Sequence, residues 1–308
     1  MKKLKYSLFA IILLCTASCS EDRFSQVKNI DFPEHESRLA VTANLSVPEN
    51  TFFSGELLTP TLFVGHSLGI LDENEYDTIS NATVELFKDG NLFYEFEYDP
   101  IQNNYVGPDP DLLPIDSGTY TLEVSAPNYD KVSATQTMPS RAEVISASYE
   151  FEEVPFDFDN ELYDLFEFKI QDKAGEENYY AFDLRFEVEQ FGQTSEFDAF
   201  FDSDDPLMEW GYNLYQILPD VSFDGNTYDV RLLINGNWLP VNDNTMIKAV
   251  EVDVLTITKD LYLYDTSRER YWNAEGNPFA EPVLIHSNME NGYGVFTLRN
   301  KMTYRYEF

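Results

Sequence analysis

Clustered carboxylates are the first residues in this chain with chemistry to offer. Asp202-Ser203-Asp204-Asp205 and Asp157-Phe158-Asp159-Asn160 each gather hard oxygens within a few positions. That is the donor type Ca²⁺ prefers. Neither run has the glycine and distal glutamate of a helix-loop-helix calcium loop, so a solvated acidic loop is the plainer reading. Asp202, Asp204 and Asp205 are kept as Ca²⁺ candidates. Paired carboxylates also hydrolyse glycosidic bonds when held at a set separation. With 55 acids in the chain some pair always exists, so a hydrolase ranks third among the expected functions. The three histidines, His35, His66 and His286, come without a Gly-x-Ser-x-Gly elbow or a His-Glu-x-x-His zinc motif. His286 beside Ser287 reads as structural. No glycine-rich phosphate cradle occurs. The sequence therefore predicts no catalytic residue and no organic cofactor. Trp210, Trp238 and Trp272 offer sugar-stacking surfaces, although aromatics in β-proteins are more often core.

One side chain has its chemistry set by its neighbours. Lys2, Lys3 and Lys5 precede the apolar run Leu8–Leu14, and small residues Thr16-Ala17-Ser18 lead into Cys19. A basic start, a short apolar stretch and small residues form an export signal over 1–18. The run is shorter than the roughly 20 residues that span a bilayer. Cys19 in this setting resembles a lipobox cysteine, which takes up lipid and becomes the mature N-terminus, even though Thr16 stands where an aliphatic residue is usual. Residues 19–31 then form an acidic tether. Ser20-Glu21-Asp22 resembles the acidic signal that carries some bacterial lipoproteins to the outer face of the outer membrane.

Charge narrows the partners. The whole chain carries −35, and losing a leader whose only charges are three lysines takes it to −38. Such a surface repels nucleic-acid phosphates and gains nothing from anionic headgroups, so the membrane is reached through the lipid alone. Aromatics at 15% and apolar residues at 43% supply enough core to rule out disorder. With only Cys15 and Cys19 in the chain, the mature protein has no internal disulfide.

The elements that must position these residues are mostly strands. Leu39–Leu45, Thr61–Val64, Ala82–Phe87 and Leu92–Phe96 alternate apolar with polar, the last pair joined by Asp89-Gly90. Gly118–Ala126 and Val132–Met138 form a further hairpin. Together they predict an Ig-like or transthyretin-like β-sandwich over 32–140. A second, β-rich domain over 141–308 follows, with strands including Tyr179–Val188 and Lys248–Thr258. A helical turn is expected near Leu207–Trp210. One sizeable helix over 259–272 is predicted, with Leu261, Tyr264, Tyr271 and Trp272 forming its apolar stripe.

The C-terminal block Asn277-Pro278-Phe279-Ala280-Glu281-Pro282 followed by Ser287–Phe296 looks like the closing signature of domain-of-unknown-function family 4249. Asp31–His35, Ser80–Val84 and the Thr119–Pro139 hairpin are similar to its earlier blocks. The resemblance implies a bacterial surface lipoprotein of the kind found beside TonB-dependent outer-membrane transporters, with no assigned activity. On that reading the chain is a lipid-anchored, surface-exposed accessory that captures or gates a small ligand, peptide or glycan for a barrel partner. A structural or adhesive lipoprotein is the alternative. Phe279, Asn288 and Tyr293 are the candidate docking residues. A plain turn needing glycine at positive φ and Asn288 for hydrogen bonds is the competing account of that stretch.

Overall fold

Alternating apolar positions put every second side chain on one face of a strand, and that pattern builds almost all of this molecule. The computed structural model describes residues 35–46, 52–53, 56–57, 61–69, 77–107, 117–156, 161–213, 216–236, 245–277 and 279–308. Cys19, the leader and tether, Asp157, Asp159 and Trp238 lie outside them. Every described strand lies within Ser37–Phe308, one of the two units into which the chain divides.

The chain begins its sheet with β1 (Leu39–Ser46), and the two-residue strands β2 (Phe52–Phe53) and β3 (Glu56–Leu57) pair with each other. There follow β4 (Thr61–His66), β5 (Thr83–Lys88), β6 (Asn91–Asp99), β7 (Asn104–Val106), β8 (Thr119–Ser125) and β9 (Val132–Thr137). Asp89 and Gly90 both have positive φ, 49° and 80°, as an Asp-Gly hairpin requires. Leu39, Val41, Val64, Leu86, Tyr120 and Leu122 point into one core.

Beyond it come β10 (Glu143–Phe156), β11 (Glu161–Gln171), β12 (Tyr179–Gln190), β13 (Gln193–Asp198), β14 (Glu209–Trp210), β15 (Gln216–Pro219), β16 (Thr227–Ile234) and β17 (Thr245–Ile257). The sheet β10-β11-β16 faces β12 and β17 across a second core containing Phe166, Phe168, Phe182, Phe186, Val252 and Val254. The protein is mainly β, as its sequence predicts. Residues 207–210 differ: Glu209 and Trp210 pair with β15 as a short strand instead of forming a helical turn.

The last strand, β18 (Tyr293–Glu307), joins the two cores. Its first half runs parallel to β1, from Ala40 opposite Tyr293 to Ser46 opposite Arg299. Its second half runs antiparallel to β17, from Ile257 opposite Arg299 to Ala249 opposite Glu307. Phe296 and Leu298 enter the first core, while Met302, Tyr304 and Tyr306 pack on the second. The two cores share one 13-stranded sheet, and Met289, Phe296 and Leu298, from beyond the expected boundary at 140/141, belong to the first core. That sheet curls until β9 meets the residue group before β18, where the Glu290 amide donates to Ser133 O at 2.8 Å.

Helix α1 (Lys259–Ala274) lies close to its predicted place, with a different buried face. Leu261, Asp265, Thr266 and Ser267 are buried, whereas Tyr271 and Trp272 are exposed. Polar contacts explain the inversion. The Asp265 carboxylate accepts from the Asn213 backbone and side chain at 3.0–3.1 Å. Thr266 Oγ1 donates to Tyr262 O, and Ser267 Oγ to Tyr264 O. Buried polar groups with partners cost little, so hydrophobicity alone misplaces this face.

Candidate functional site

Two small cavities flank the pair Phe200-Phe201, on the stretch that carries the chain from β13 to the edge of β16. One, about 210 Å³, is lined by Tyr163, Phe200, Phe201, Asp202, Trp210, Leu233 and Asn235. The other, about 220 Å³, is lined by Phe182, Asp183, Leu184, Asp198, Ala199, Phe200 and Phe201. Ladder bonds fix the crossing: the Ala199 amide donates to Leu184 O, and Asp202 and Leu233 exchange backbone bonds at 2.8 and 2.7 Å. Trp210 is 56% exposed and Phe200 60%. The expectation that the tryptophans are core fails at both described ones, since Trp272 is 59% exposed as well. Trp210 stands on a two-residue strand at the rim of the first cavity. Its cross-strand neighbour Gln216 keeps a buried side-chain oxygen with no hydrogen-bond partner among the described residues.

The three proposed calcium ligands are not gathered. Asp202 lines the first cavity. Asp204 is paired with Arg231 at 2.9 Å. Asp205 accepts from the Tyr228 hydroxyl at 2.7 Å and the Leu207 amide at 2.9 Å. A different set, Asp172, Asp220 and Asp224, brings one oxygen each within 4.8 Å of the others. Asp172 accepts from Asn178 Nδ2, the Tyr180 hydroxyl and the Gly225 amide. Asp220 accepts from the Asn178 amide, and Asp224 from the Gly175 amide. Burial, then the charges of Asp172, Asp224 and Glu177, push the Asp220 carboxyl above its ordinary range despite the Asn178 bond. Chemically the trio suits a hard cation or a shared proton. Sequence reading passed over it because its members lie up to 52 positions apart, in two loops.

The docking candidates divide sharply. Asn288 is structural in its contacts: its Nδ2 donates to Phe296 O at 2.8 Å and its Oδ1 accepts from the Phe296 amide at 2.9 Å. Gly294 has φ of 104°, and a Cβ there would stand 1.9 Å from Val41 O. Close backbone approach to β1 thus demands glycine. His286 Nε2 lies 2.6 Å from Asp260 Oδ1, Gln136 Nε2 donates to Asp260 Oδ2 at 2.5 Å, and the His286 amide donates to Ser267 Oγ. Burial opposes the charge on Asp260, but bonds from Gln136, His286 and Asn288 outweigh it and hold the carboxyl below its usual range. Ahead of these fixed points the chain leaves apolar side chains in water: Phe279 is 93% exposed and Leu284 90%, and Tyr293 is exposed at the start of β18. Leu284 has no counterpart among the residues singled out from sequence.

No described helix is long and apolar enough to cross a membrane. A family profile described as "Domain of unknown function (DUF4249)" matches residues 28–305. No curated protein and no solved structure matches the chain. The chain belongs to that family of unknown function.

Proposed function

We propose that this family member is a lipid-anchored accessory of the outer-membrane surface that docks on a TonB-dependent transporter through the stretch from Phe279 to Tyr293. The carrying observation is the near-complete exposure of Phe279 and Leu284 on a segment whose following residues, His286 and Asn288, are hydrogen-bonded to α1 and β18. Exposed apolar side chains on a positioned backbone suit a protein partner, because they desolvate on contact without first having to be ordered. Tyr293 is paired with Ala40 at the start of β1. A tether at Cys19 would hold the protein beside its partner and raise its local concentration there.

The test is a pull-down of the tagged, lipidated protein from gently solubilised outer membranes, with mass spectrometry of what accompanies it. The expected result is a stoichiometric barrel that is lost when Phe279 and Leu284 are both changed to alanine at unchanged melting temperature. Recovery of the same barrel by that double variant would overturn the docking segment, and absence of any barrel would overturn the accessory role. Cys19→Ser should release the protein from membranes; tight retention would refute lipid attachment.

A further inference from the structure

We infer that the twin cavity around Phe200-Phe201 is a binding site for a neutral oligosaccharide, one sugar ring to each side of the Phe200 wall. This deepens the binding-protein reading by naming a ligand class, and it does not rest on docking to a barrel.

Four observations carry it. First, the walls are aromatic and reachable: Tyr163, Phe200, Phe201 and Trp210 line the first cavity, with the Phe200 and Trp210 side chains more than half exposed. An aromatic face held open to water is an apolar surface that a flat ring with C–H bonds covers well. Second, polar groups stand among those faces. Asp202 and Asn235 line the first cavity, and Asp183 and Asp198 the second. A few polar groups set in a mostly apolar pocket fix orientation and select ligands rich in hydroxyls.

Third, charge excludes the obvious competitors. Among the described residues no lysine, arginine or histidine lines either cavity, and three aspartates do. A phosphate, carboxylate or sulfated sugar would meet these carboxylates at the cavity walls. Fourth, size limits the occupant. Cavities of about 210 and 220 Å³ fall short of the roughly 300–1,000 Å³ typical of drug-sized sites. Each has room for a single ring, and their shared wall sets two rings side by side. The site therefore takes a short stretch or an end of a glycan chain.

The test uses the full chain in detergent micelles, titrated with maltotriose, cellotriose, mannotriose and chitotriose at millimolar concentration, with trigalacturonate and trilysine as charged probes. Binding is read by tryptophan fluorescence and by saturation transfer to the sugar protons. At least one neutral trisaccharide should bind, and Trp210→Ala should weaken it about tenfold or more, the scale of one lost aromatic contact. Trp272→Ala, an equally exposed tryptophan outside the cavities, should leave binding unchanged. Tyr163→Phe separates hydrogen bonding from stacking and should weaken binding less than Trp210→Ala. If no neutral trisaccharide binds, or if Trp210→Ala and Trp272→Ala behave alike, the proposal fails. Binding of trilysine alone would replace it with a basic-peptide site. Each of these outcomes is independent of whether a barrel co-purifies.

Discussion

The two cores are built on the same alternation and treat charge in opposite ways. Around the first, the described buried side chains are apolar apart from Gln136 and Thr297, and most polar residues stay on the outer face. Around the second, charge is taken inside. Asp253 and Lys301 are buried on the β17–β18 surface, with Arg185 close to it, and Asp172 and Asp220 are buried in the loops. The second region also displays the open aromatic cavities. Buried charge that must be partnered is an expensive way to fold, and a region using it where hydrophobes would serve is the place to look for function. The first region reads as a brace.

The contrast breaks most severely at the seam. Gly294→Ala forces a Cβ against Val41 O at a φ that suits glycine, so it should cost about 3 kcal/mol or more. Denaturant unfolding followed by separate reporters in the two regions should show both losing stability together. If only the first region weakens, the shared strand does not couple them.

Next in size is Asp253→Ala. The Asp253 carboxylate accepts from Arg185 at 3.1 Å, Lys301 at 3.3 Å and Thr303 at 2.5 Å. Removing it leaves Lys301 buried without the carboxylate it is paired with, a loss of about 3–5 kcal/mol. Changing Asp253 and Lys301 together to a hydrophobic pair should recover part of that, as a double-mutant cycle would measure.

Asp260→Ala sharpens the comparison at a polar clamp beside the first region, since Gln136 and His286 both lose their acceptor. About 2 kcal/mol is expected. The bonded carboxyl has a lowered pKa, so its support is present above the ordinary value and disappears only as pH falls through the lowered one. A pH series of melting temperatures on wild type and variant reads this directly.

The smallest effect has the opposite sign. The Asp220 pKa is raised in the fold. Its contribution is therefore favourable below about 4, the ordinary carboxyl value, and is lost as pH rises through the raised one. Asp220→Asn should stabilise the protein at pH 7, by about 2–4 °C in melting temperature for roughly 1 kcal/mol, with the gain vanishing in acid. A loss of stability at pH 7 would mean that the ionised form is compensated by a cation.

Legibility in the sequence followed the range of the forces involved. Strands such as Tyr179–Gln190, the Asp89-Gly90 turn and the helix near 259 are local events, written in period and turn chemistry. The inward face of α1 was not, because Asp265 and Ser267 are buried by partners at Asn213 and His286. Asn288 and Gly294 could be read as turn residues, but not as clamps on β18 and β1. The cavities around Phe200 and the Asp172 trio depend on how separate loops meet, and no periodicity encodes that.

Pairing β1 with β18 also governs the order in which the chain can become itself. Ala40 meets Tyr293, so one of the first strands made must wait for one of the last. Until then β1 presents an open edge, the kind of surface on which unfinished chains stick to one another. Contacts this distant in sequence slow folding. Shortening the chain by its last strand would therefore do more than remove an edge: it would leave both halves waiting for a partner that never arrives.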